Sequence, residues 1–354
     1  MILKSRRKFI QNLSSGIFIP ASIKFNAQVN QQFNFPGKLV FVGIAVQEKD
    51  YHIWGSSPII DEQGHVHLFV SRWPTKYGFE PGWRSHSEIA HYIGKNPEGP
   101  FEFSDIALQG TGKNTWDKYG MHNPSIHYDG EKYILLYIAN NDYKQPPHPA
   151  NQKIGMVVSK SLLGPWEKVN GHGNILYPPI NPGYWNHKAS NGVNNPTLIK
   201  YKGAYFLYFK SSNAKMGLAI AENITGPYVQ LPFPVTSNEK RIEDGYAFLF
   251  NNKVYLLTTD NDGVLKKGGG LLWRSDDAMT FNSFEEGYKL LNEYISDSSL
   301  LSPNWFYGSS ERMKFERPQL LMRDGKPGWL YVASGCNIYG GDATVSYVLK
   351  YTYN

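Results

Sequence analysis

A repeat of about 65 residues constrains the fold of this 354-residue chain more than any other feature of its sequence. Gly-Pro followed by an aromatic residue recurs at spacings of 65 and 62 residues. The three copies are Gly99-Pro100-Phe101, Gly164-Pro165-Trp166 and Gly226-Pro227-Tyr228. Each copy joins two strand-like runs, as expected of a tight turn whose ring packs on the sheet behind it. A fixed period of this length predicts a fold built from one repeated supersecondary unit.

A second repeated element, a polar opening followed by an apolar strand, occurs five times along the chain. Its copies begin at Ser57-Pro58, Asn123-Pro124, Asn195-Pro196, Glu243-Asp244 and Glu316-Arg317. Five copies with room for four strands each predict an all-β fold, a five-bladed β-propeller of four-stranded antiparallel blades over residues 28–354. The run from Lys38 to Val46 is expected to supply the missing outer strand and close the ring. A β-sandwich is the alternative, but it gives no reason for the period.

The composition limits the partners and cofactors that the chain is expected to use. Its net charge is +6, but no Lys/Arg run exceeds Arg6-Arg7-Lys8 and no nucleic-acid motif is visible, so no nucleic acid is predicted. The single cysteine, Cys336, excludes an internal disulfide and a cysteine-based zinc site. No metal-ligand spacing is present, so neither metal nor cofactor is predicted, although the central channel leaves room for a structural cation. The oligomeric state is left open.

The first 27 residues read as a targeting segment. Lys4-Ser5-Arg6-Arg7-Lys8 resembles a twin-arginine export signal, a short apolar stretch follows, and Asn26-Ala27-Gln28 offers a small-residue cleavage point. The apolar stretch is too short to span a bilayer, and Pro20 breaks it. We therefore expect an exported bacterial protein, periplasmic or secreted, with no membrane span.

The five strand openings are expected to meet in space. The innermost strand of each propeller blade runs along the central channel, so its first residues lie at one mouth of that channel. These openings carry Ser56-Ser57, His122-Asn123, Asn194-Asn195, Glu243-Asp244 and Glu316-Arg317. Two glutamates, an aspartate, a histidine and an arginine gathered in one funnel predict a functional site.

The blade pattern from about Lys38 onward resembles the five-bladed glycoside hydrolases of families 43 and 62, their relatives in families 32 and 68, and the anhydrogalactosidases of family 117. In these families a carboxylate opens blade one, a second Asp opens blade three, and a Glu general acid opens blade four. The resemblance implies that Glu243 is the general acid. It also places Ser57 and Asn195 where the families carry Asp, so this chain is either a divergent branch with relocated catalytic groups or a binder without catalysis.

Glycosidic cleavage needs a proton donor and a second carboxylate facing the anomeric carbon. We expect Glu243 to be the donor, with its pKa raised by burial and neighbouring carboxylates. Glu316 and Asp244 are the leading candidates for the base or nucleophile. The predicted reaction is exo-acting hydrolysis of a sulfated or uronic-acid-containing plant or algal glycan.

Other side chains near the openings are predicted to bind the substrate. Arg72, Lys210 and Arg317 would hold an anionic group, since guanidinium and ammonium groups bind oxyanions. The alternative for each of them is an ion pair with Glu243, Asp244 or Glu316. Trp54 and Trp185 would stack on sugar rings. The remaining predicted contacts are polar: Ser57, His86, His122, Asn123 and Asn195.

Three other functions remain compatible with the sequence. A glycoside phosphorylase resembling family 130 needs no protein base, which would account for Ser57 and Asn195. A polysaccharide lyase would use His122 or His86 as its base. A non-catalytic glycan-binding propeller would keep the cavity without turnover.

Overall fold

Five β-sheets make up almost the whole of the described chain. The computed structural model describes residues 37–141, 147–148, 151–297, 313–335 and 343–353. The predicted export segment, residues 1–27, and Cys336 lie outside these residues. Within them, no helix is long and apolar enough to cross a membrane.

Each sheet forms one blade. Blade one contains β2 (Tyr51–Ile60), β3 (Val66–Pro74), β4 (Glu88–Gly94) and β5 (Phe101–Leu108). Blade two contains β6 (Tyr119–Tyr128), β7 (Tyr133–Asn140), β8 (Lys153–Ser159) and β10 (Asn174–Leu176), with β9 (Glu167–Lys168) also paired to β8. Blade three contains β11 (Asn194–Tyr201), β12 (Ala204–Lys210), β13 (Met216–Ala221) and β14 (Val229–Gln230). Blade four contains β15 (Ile242–Phe250), β16 (Lys253–Asp260), β17 (Gly270–Ser275) and β18 (Ser283–Tyr288).

Blade five is completed by the first strand of the described chain. It contains β19 (Glu316–Arg323), β20 (Lys326–Ser334), β21 (Val345–Tyr353) and β1 (Gly37–Val46). β1 pairs antiparallel with β21, from Gly37 opposite Tyr353 to Val46 opposite Ser346. The predicted five blades and the closure of the ring by the N-terminal strand are thus confirmed. Between the strands, the described residues also form two short α-helices, α1 (Phe79–Ser85) and α2 (Leu291–Tyr294), and three 3₁₀ turns, at Thr75–Tyr77, Val169–Gly171 and Ser212–Ala214.

Apolar side chains fill the gaps between neighbouring blades. Phe69 of blade one and Leu135 of blade two share one buried cluster, and Tyr208 of blade three packs in the same cluster as Leu256 of blade four. Burying a side chain of this size stabilises the fold by roughly 1.5–3 kcal/mol. Since every gap is filled in this way, the blades are held at fixed angles around the channel.

A left-handed residue occupies an equivalent position near the start of each innermost strand. These five residues are Gly55 (φ 63°), Asn123 (φ 51°), Asn195 (φ 51°), Asp244 (φ 59°) and Arg317 (φ 56°). Each coincides with a register shift against the second strand of its blade. Gly, Asn and Asp tolerate this conformation, whereas Arg adopts it only under constraint.

This register corrects the sequence alignment of blade one. The residue equivalent to Asn123 and Asn195 is Gly55, with Trp54 before it, and not Ser57. Ser57 lies two positions further along the strand and is buried. Its hydroxyl donates to Gln319 Oε1 (3.2 Å) and accepts from the backbone N–H of Ile126 (3.0 Å), so it links blade one to both neighbours. Ser57 was matched to these residues because proline follows it, as proline follows the left-handed residue in blades two, three and five.

We expect Gly55→Ala to destabilise the protein by about 2–4 kcal/mol. A Cβ at Gly55 would lie 2.7 Å from Cγ of the buried Arg317 side chain, in addition to the cost of a positive φ. Urea denaturation would measure the loss in unfolding free energy. Gly64→Ala is the matched control, because Gly64 also has a positive φ (86°) but no atom within 4 Å of its Cβ position. Equal losses in the two variants would contradict close packing over Gly55.

Candidate active site

A cavity of about 470 Å³ lies where the openings of the innermost strands converge. It is lined by nine of the residues singled out in the sequence: Trp54, His122, Asn123, Asn194, Asn195, Lys210, Glu243, Asp244 and Glu316. Its other lining residues are Phe79, Glu80, Trp83, Arg84, Gln152, Asn191, Arg241, Asn261 and Lys314. The register explains why these residues meet in one cavity. The residue just before the left-handed residue of each strand lines it, and these residues are Trp54, His122, Asn194, Glu243 and Glu316.

Three carboxyl groups lie together on the side of blades four and five. One oxygen from each of Glu243, Asp244 and Glu316 lies within 4.8 Å of the others. Each is held by a different set of partners, so the three differ in their protonation. Their spacing suits two carboxyl groups acting on one glycosidic bond.

Glu243 is ionised because it is paired with a lysine. Burial on its own would raise the pKa of Glu243, but the Lys210 ammonium, which donates a hydrogen bond to Oε1, lowers it below its ordinary value. Lys210 is buried at the end of β12 and therefore fixed in place. The sequence-based prediction of a raised pKa for Glu243 was wrong, because Lys210 takes its alternative role and pairs with this carboxylate.

Glu316 has the opposite character. Burial raises its pKa to about 7; Lys314, with Nζ 2.5 Å from Oε1, opposes this, and the charges of Asp244 and Glu243 add to it. Only 6% of its side chain is exposed. Near neutral pH this carboxyl group therefore holds a proton in part of the molecules, as a general acid must.

Asp244 lies behind the two glutamates and is saturated by protein donors. Its carboxylate accepts hydrogen bonds from Asn195 Nδ2 (2.7 Å), Thr259 Oγ1 (3.2 Å) and the backbone N–H of Arg317 (3.2 Å). Burial and the charge of Glu243 raise its pKa, against the positive charge of Arg317. With its oxygens occupied in this way, Asp244 is better suited to shape the field of the site than to attack a substrate.

The three carboxyl groups also resemble a ligand set for a divalent cation, because oxygen donors this close together can share one ion. Two of them are already paired with ammonium groups, Glu243 with Lys210 and Glu316 with Lys314. A metal ion would have to displace both lysines. The donor set therefore fits proton chemistry better than metal binding.

His122 is a neutral hydrogen-bonding group at the cavity wall. Burial and the charge of Arg317 lower its pKa to about 3. The Ser87 hydroxyl donates to the carbonyl of Met121 (2.9 Å), so His122 Nδ1, 2.9 Å from that hydroxyl, must be the donor of the pair. Nε2 is then left with a lone pair that can accept a hydrogen bond, but so low a pKa makes it a weak base.

Aromatic side chains of blade one form another part of the cavity wall. Trp54 and Phe79 meet edge to face at 5.2 Å, and Trp83 stacks on His122 at 5.2 Å. Phe79 and Trp83 belong to α1, which lies between β3 and β4. Neither residue was predicted to bind substrate. The aromatic residues close together in this link were the available signal.

Several predicted substrate contacts do not line the cavity. The Arg72 guanidinium is paired with Glu48 (2.7 Å) and Glu88 (3.0 Å) and lies against the rings of Tyr51 and Phe103. Those contacts tie it to the outer strand of blade one. It is a structural ion pair, and the prediction that it binds an anionic group is not supported by its position.

Ser57, His86, Trp185 and Arg317 are also absent from the cavity wall. His86 is exposed and stacks on Tyr77 at 3.5 Å, outside the site. Trp185 packs in the apolar cluster between blades two and three. Arg317 is fully buried beneath the cavity floor and cannot touch a substrate directly.

Comparison with known proteins supports the same architecture. No family model matches the sequence. An arabinoxylan arabinofuranohydrolase of Paenibacillus polymyxa is 27% identical over 183 residues, a match that covers 47% of this chain and only 27% of that protein.

Solved structures match over nearly the whole chain. A family 117 glycoside hydrolase of the marine bacterium Zobellia galactanivorans has a TM-score of 0.64 at 16% identity, covering 89% of this chain and 90% of that one. The catalytic domain of a family 62 α-L-arabinofuranosidase of Coprinopsis cinerea has a TM-score of 0.60 at 13% identity, covering 90% and 97%. A family 43 β-xylosidase/α-arabinofuranosidase from a compost metagenome also scores 0.60, at 12% identity, covering 90% and 96%. This chain therefore has the five-bladed β-propeller fold of the glycoside hydrolases in families 117, 62 and 43.

Proposed function

We propose that this protein is a glycoside hydrolase in which Glu316 donates the proton and Glu243 is the nucleophile. One observation carries the proposal: in the wall of one cavity, an oxygen of Glu243, which is paired with Lys210, lies within 4.8 Å of an oxygen of the buried Glu316. The roles are exchanged relative to the sequence-based prediction, because Lys210 lowers the pKa of Glu243 while burial raises the pKa of Glu316 to about 7.

The chemistry follows from this arrangement. Glu316 transfers its proton to the glycosidic oxygen as the bond to the anomeric carbon breaks, and the Glu243 carboxylate forms a bond to that carbon. The ionised Glu316 then takes a proton from water, which attacks the anomeric carbon and releases Glu243. Retaining enzymes hold their carboxyl groups about 5–5.5 Å apart, and inverting enzymes about 6.5–9.5 Å. Oxygens of Glu243 and Glu316 within 4.8 Å of each other are closer to the retaining arrangement, which favours retention of configuration.

The cavity also bears on the kind of substrate. Arg84 and Arg241 line it with partly exposed guanidinium groups, which bind carboxylate or sulfate through paired N–H donors. With four cations and four carboxyl groups in its wall, the cavity becomes net positive once Glu316 is protonated. Trp54, Phe79 and Trp83 offer apolar faces for a sugar ring. These features support an anionic glycan as the substrate.

Exo action is supported by the cavity floor. Asn123, Asn195 and Asp244 line the bottom, and the buried Arg317 lies beneath them, so a polymer end fits better than a chain passing through. Export, as proposed from Arg6 and Arg7, would bring the enzyme to such polymers.

Incubation of the wild-type protein with sulfated and uronic-acid oligosaccharides, beside their desulfated or carboxyl-reduced counterparts, tests the proposal. Arabinoxylan belongs in the panel because of the Paenibacillus relative. We expect new reducing ends without added phosphate, and kcat/KM at least about tenfold lower on the neutral counterparts, since a lost charged hydrogen bond costs roughly 1.5–3 kcal/mol. Reducing-end assays and mass spectrometry identify the products.

The other outcomes separate the rival functions. Turnover only with phosphate, giving a sugar phosphate, would indicate a phosphorylase. Unsaturated products would indicate a lyase, which the low pKa of His122 disfavours. Binding without any product would leave a glycan-binding propeller. Equal turnover of charged and neutral substrates would keep the hydrolase but remove the anionic specificity.

A further inference from the structure

A closed ring of hydrogen bonds crosses the propeller axis beneath the cavity. Asn123 Nδ2 donates to Asn195 Oδ1 (2.6 Å), and Asn195 Nδ2 donates to Asp244 Oδ1 (2.7 Å). The backbone N–H of Arg317 donates to Asp244 Oδ2 (3.2 Å), and its Nη2 donates to the carbonyl of Asn123 (3.0 Å). All four members are the left-handed residues of their blades, so one backbone feature brings them to a common level.

The fifth left-handed residue, Gly55, gives Arg317 its path across the axis. The Cγ of Arg317 lies 2.7 Å from where a Cβ of Gly55 would stand, and Nε lies 3.4 Å from it. The side chain therefore passes over blade one and ends at blade two. A larger residue at position 55 would block this route.

The buried guanidinium of Arg317 in this ring is energetically unfavourable and needs an explanation. The Arg317 side chain is fully buried, and its Nε and Nη1 atoms have no hydrogen-bond partner among the described residues. Its backbone also holds a positive φ that arginine rarely adopts. An isolated buried charge is costly unless it acts on a partner. That partner is Asp244, whose charge stabilises the guanidinium against burial.

Asp244 in turn borders both proposed catalytic groups. The titratable and charged groups that face it are Glu243 of its own strand, Lys210 of β12, Arg317 and Glu316 of β19, and Tyr288 of β18. Its negative charge is one of the influences that favour a proton on Glu316. A change at Arg317 should therefore reach Glu316 through Asp244.

We propose that Arg317 is a positioning residue: its guanidinium supplies the positive charge on the propeller axis and, through the ring, fixes the Asp244 carboxylate that faces Glu316. This inference rests on the proposed function for its kinetic readout, but its electrostatic readout does not. The channel site for which a cation was considered from the sequence is filled, in this view, by a side chain of the protein itself.

The test compares Arg317→Met with Arg317→Lys. Without the guanidinium charge Asp244 should take up a proton, so Glu316 should lose a negative neighbour. We expect the upper limb of the pH profile of kcat/KM to move down by about one pH unit in Arg317→Met, with KM changed less than twofold. Arg317→Lys should keep the limb where it is. The same midpoint can be followed without substrate, by ¹³C NMR of glutamate carboxyl groups, with Glu316→Gln assigning the signal.

Arg72→Met is the matched control, because Arg72 is also a buried arginine but lies outside the cavity, where it is paired with Glu48 and Glu88. It should lower stability without moving the Glu316 midpoint. If Arg317→Met does not fold, Asn195→Ala breaks two bonds of the ring and should move the midpoint in the same direction. A midpoint that stays or moves up in the folded variants overturns the proposal. A shifted NMR midpoint in a protein without turnover would leave the positioning role intact and reject the hydrolase.

Discussion

Glu316→Gln is expected to lower kcat/KM on a natural glycan by about 10³-fold, in the range that a positioned general acid contributes. Glutamine keeps the size of the side chain and can still accept from Lys314, but it has no proton to give to the leaving oxygen. An aryl glycoside of the same sugar with an activated leaving group needs little proton assistance, so its cleavage rate should fall far less. Steady-state kinetics on both substrates checks this contrast.

The pH profile gives a second, independent readout of Glu316. Because the acid must be protonated, kcat/KM of the wild type should be high below about pH 7 and fall as the pH rises through the pKa of Glu316, about 7. The acidic limb belongs to Glu243, which must be ionised, and should lie below the ordinary range of a glutamate. In Glu316→Gln the basic limb should disappear.

A carboxylate outside the cavity provides the control. Glu98 is paired with Lys350 (2.8 Å), and its loss of charge in Glu98→Gln leaves the active-site region untouched. This variant should retain kcat/KM within about twofold, as surface ion pairs contribute little. If Glu316→Gln behaved like Glu98→Gln, Glu316 would not be the proton donor.

The fold could be predicted from the sequence because the repeat consists of short local motifs, each recognisable by itself. Gly-Pro turns such as Gly99-Pro100, and the apolar strands beside them, mark the blades without reference to distant residues. Ring closure followed from the strand that the last copy lacked. The register of blade one did not follow, because a left-handed glycine at Gly55 leaves no mark comparable to Asn-Pro.

The site could be predicted only in part, for a related reason. Strand openings converge by topology, so Glu243, Glu316 and His122 were found from the repeat. Their protonation depends on lysines whose pairing the repeat does not specify. Lys210 of blade three was predicted to bind substrate but pairs with Glu243, and Lys314, two residues before Glu316, is not one of the strand-opening residues. The prediction that Arg72 binds substrate has the opposite outcome. Arg72 lies near the end of a strand as predicted, but its guanidinium is paired with Glu48 and Glu88 of the same part of the fold.

Substitution of Glu243 by alanine is expected to lower kcat by on the order of 10⁴-fold, as the loss of a group that forms a covalent intermediate does. Alanine removes the carboxylate and leaves space beside the anomeric carbon. Azide, a small anion, should enter that space and restore a measurable part of the rate on an activated aryl glycoside. Glu222→Ala, on an exposed turn after β13, should change neither rate nor azide response.

The product formed with azide decides between the two stereochemical courses. In a retaining enzyme Glu243 and the leaving group lie on opposite faces of the sugar, so azide in place of Glu243 should give a glycosyl azide of inverted configuration, while the wild type gives a hydrolysis product of retained configuration. Proton NMR of the anomeric signal during the first turnovers reads both. An inverted product from the wild type would mean that a water molecule, and not Glu243, attacks the anomeric carbon, and that the carboxyl groups must move apart when substrate binds.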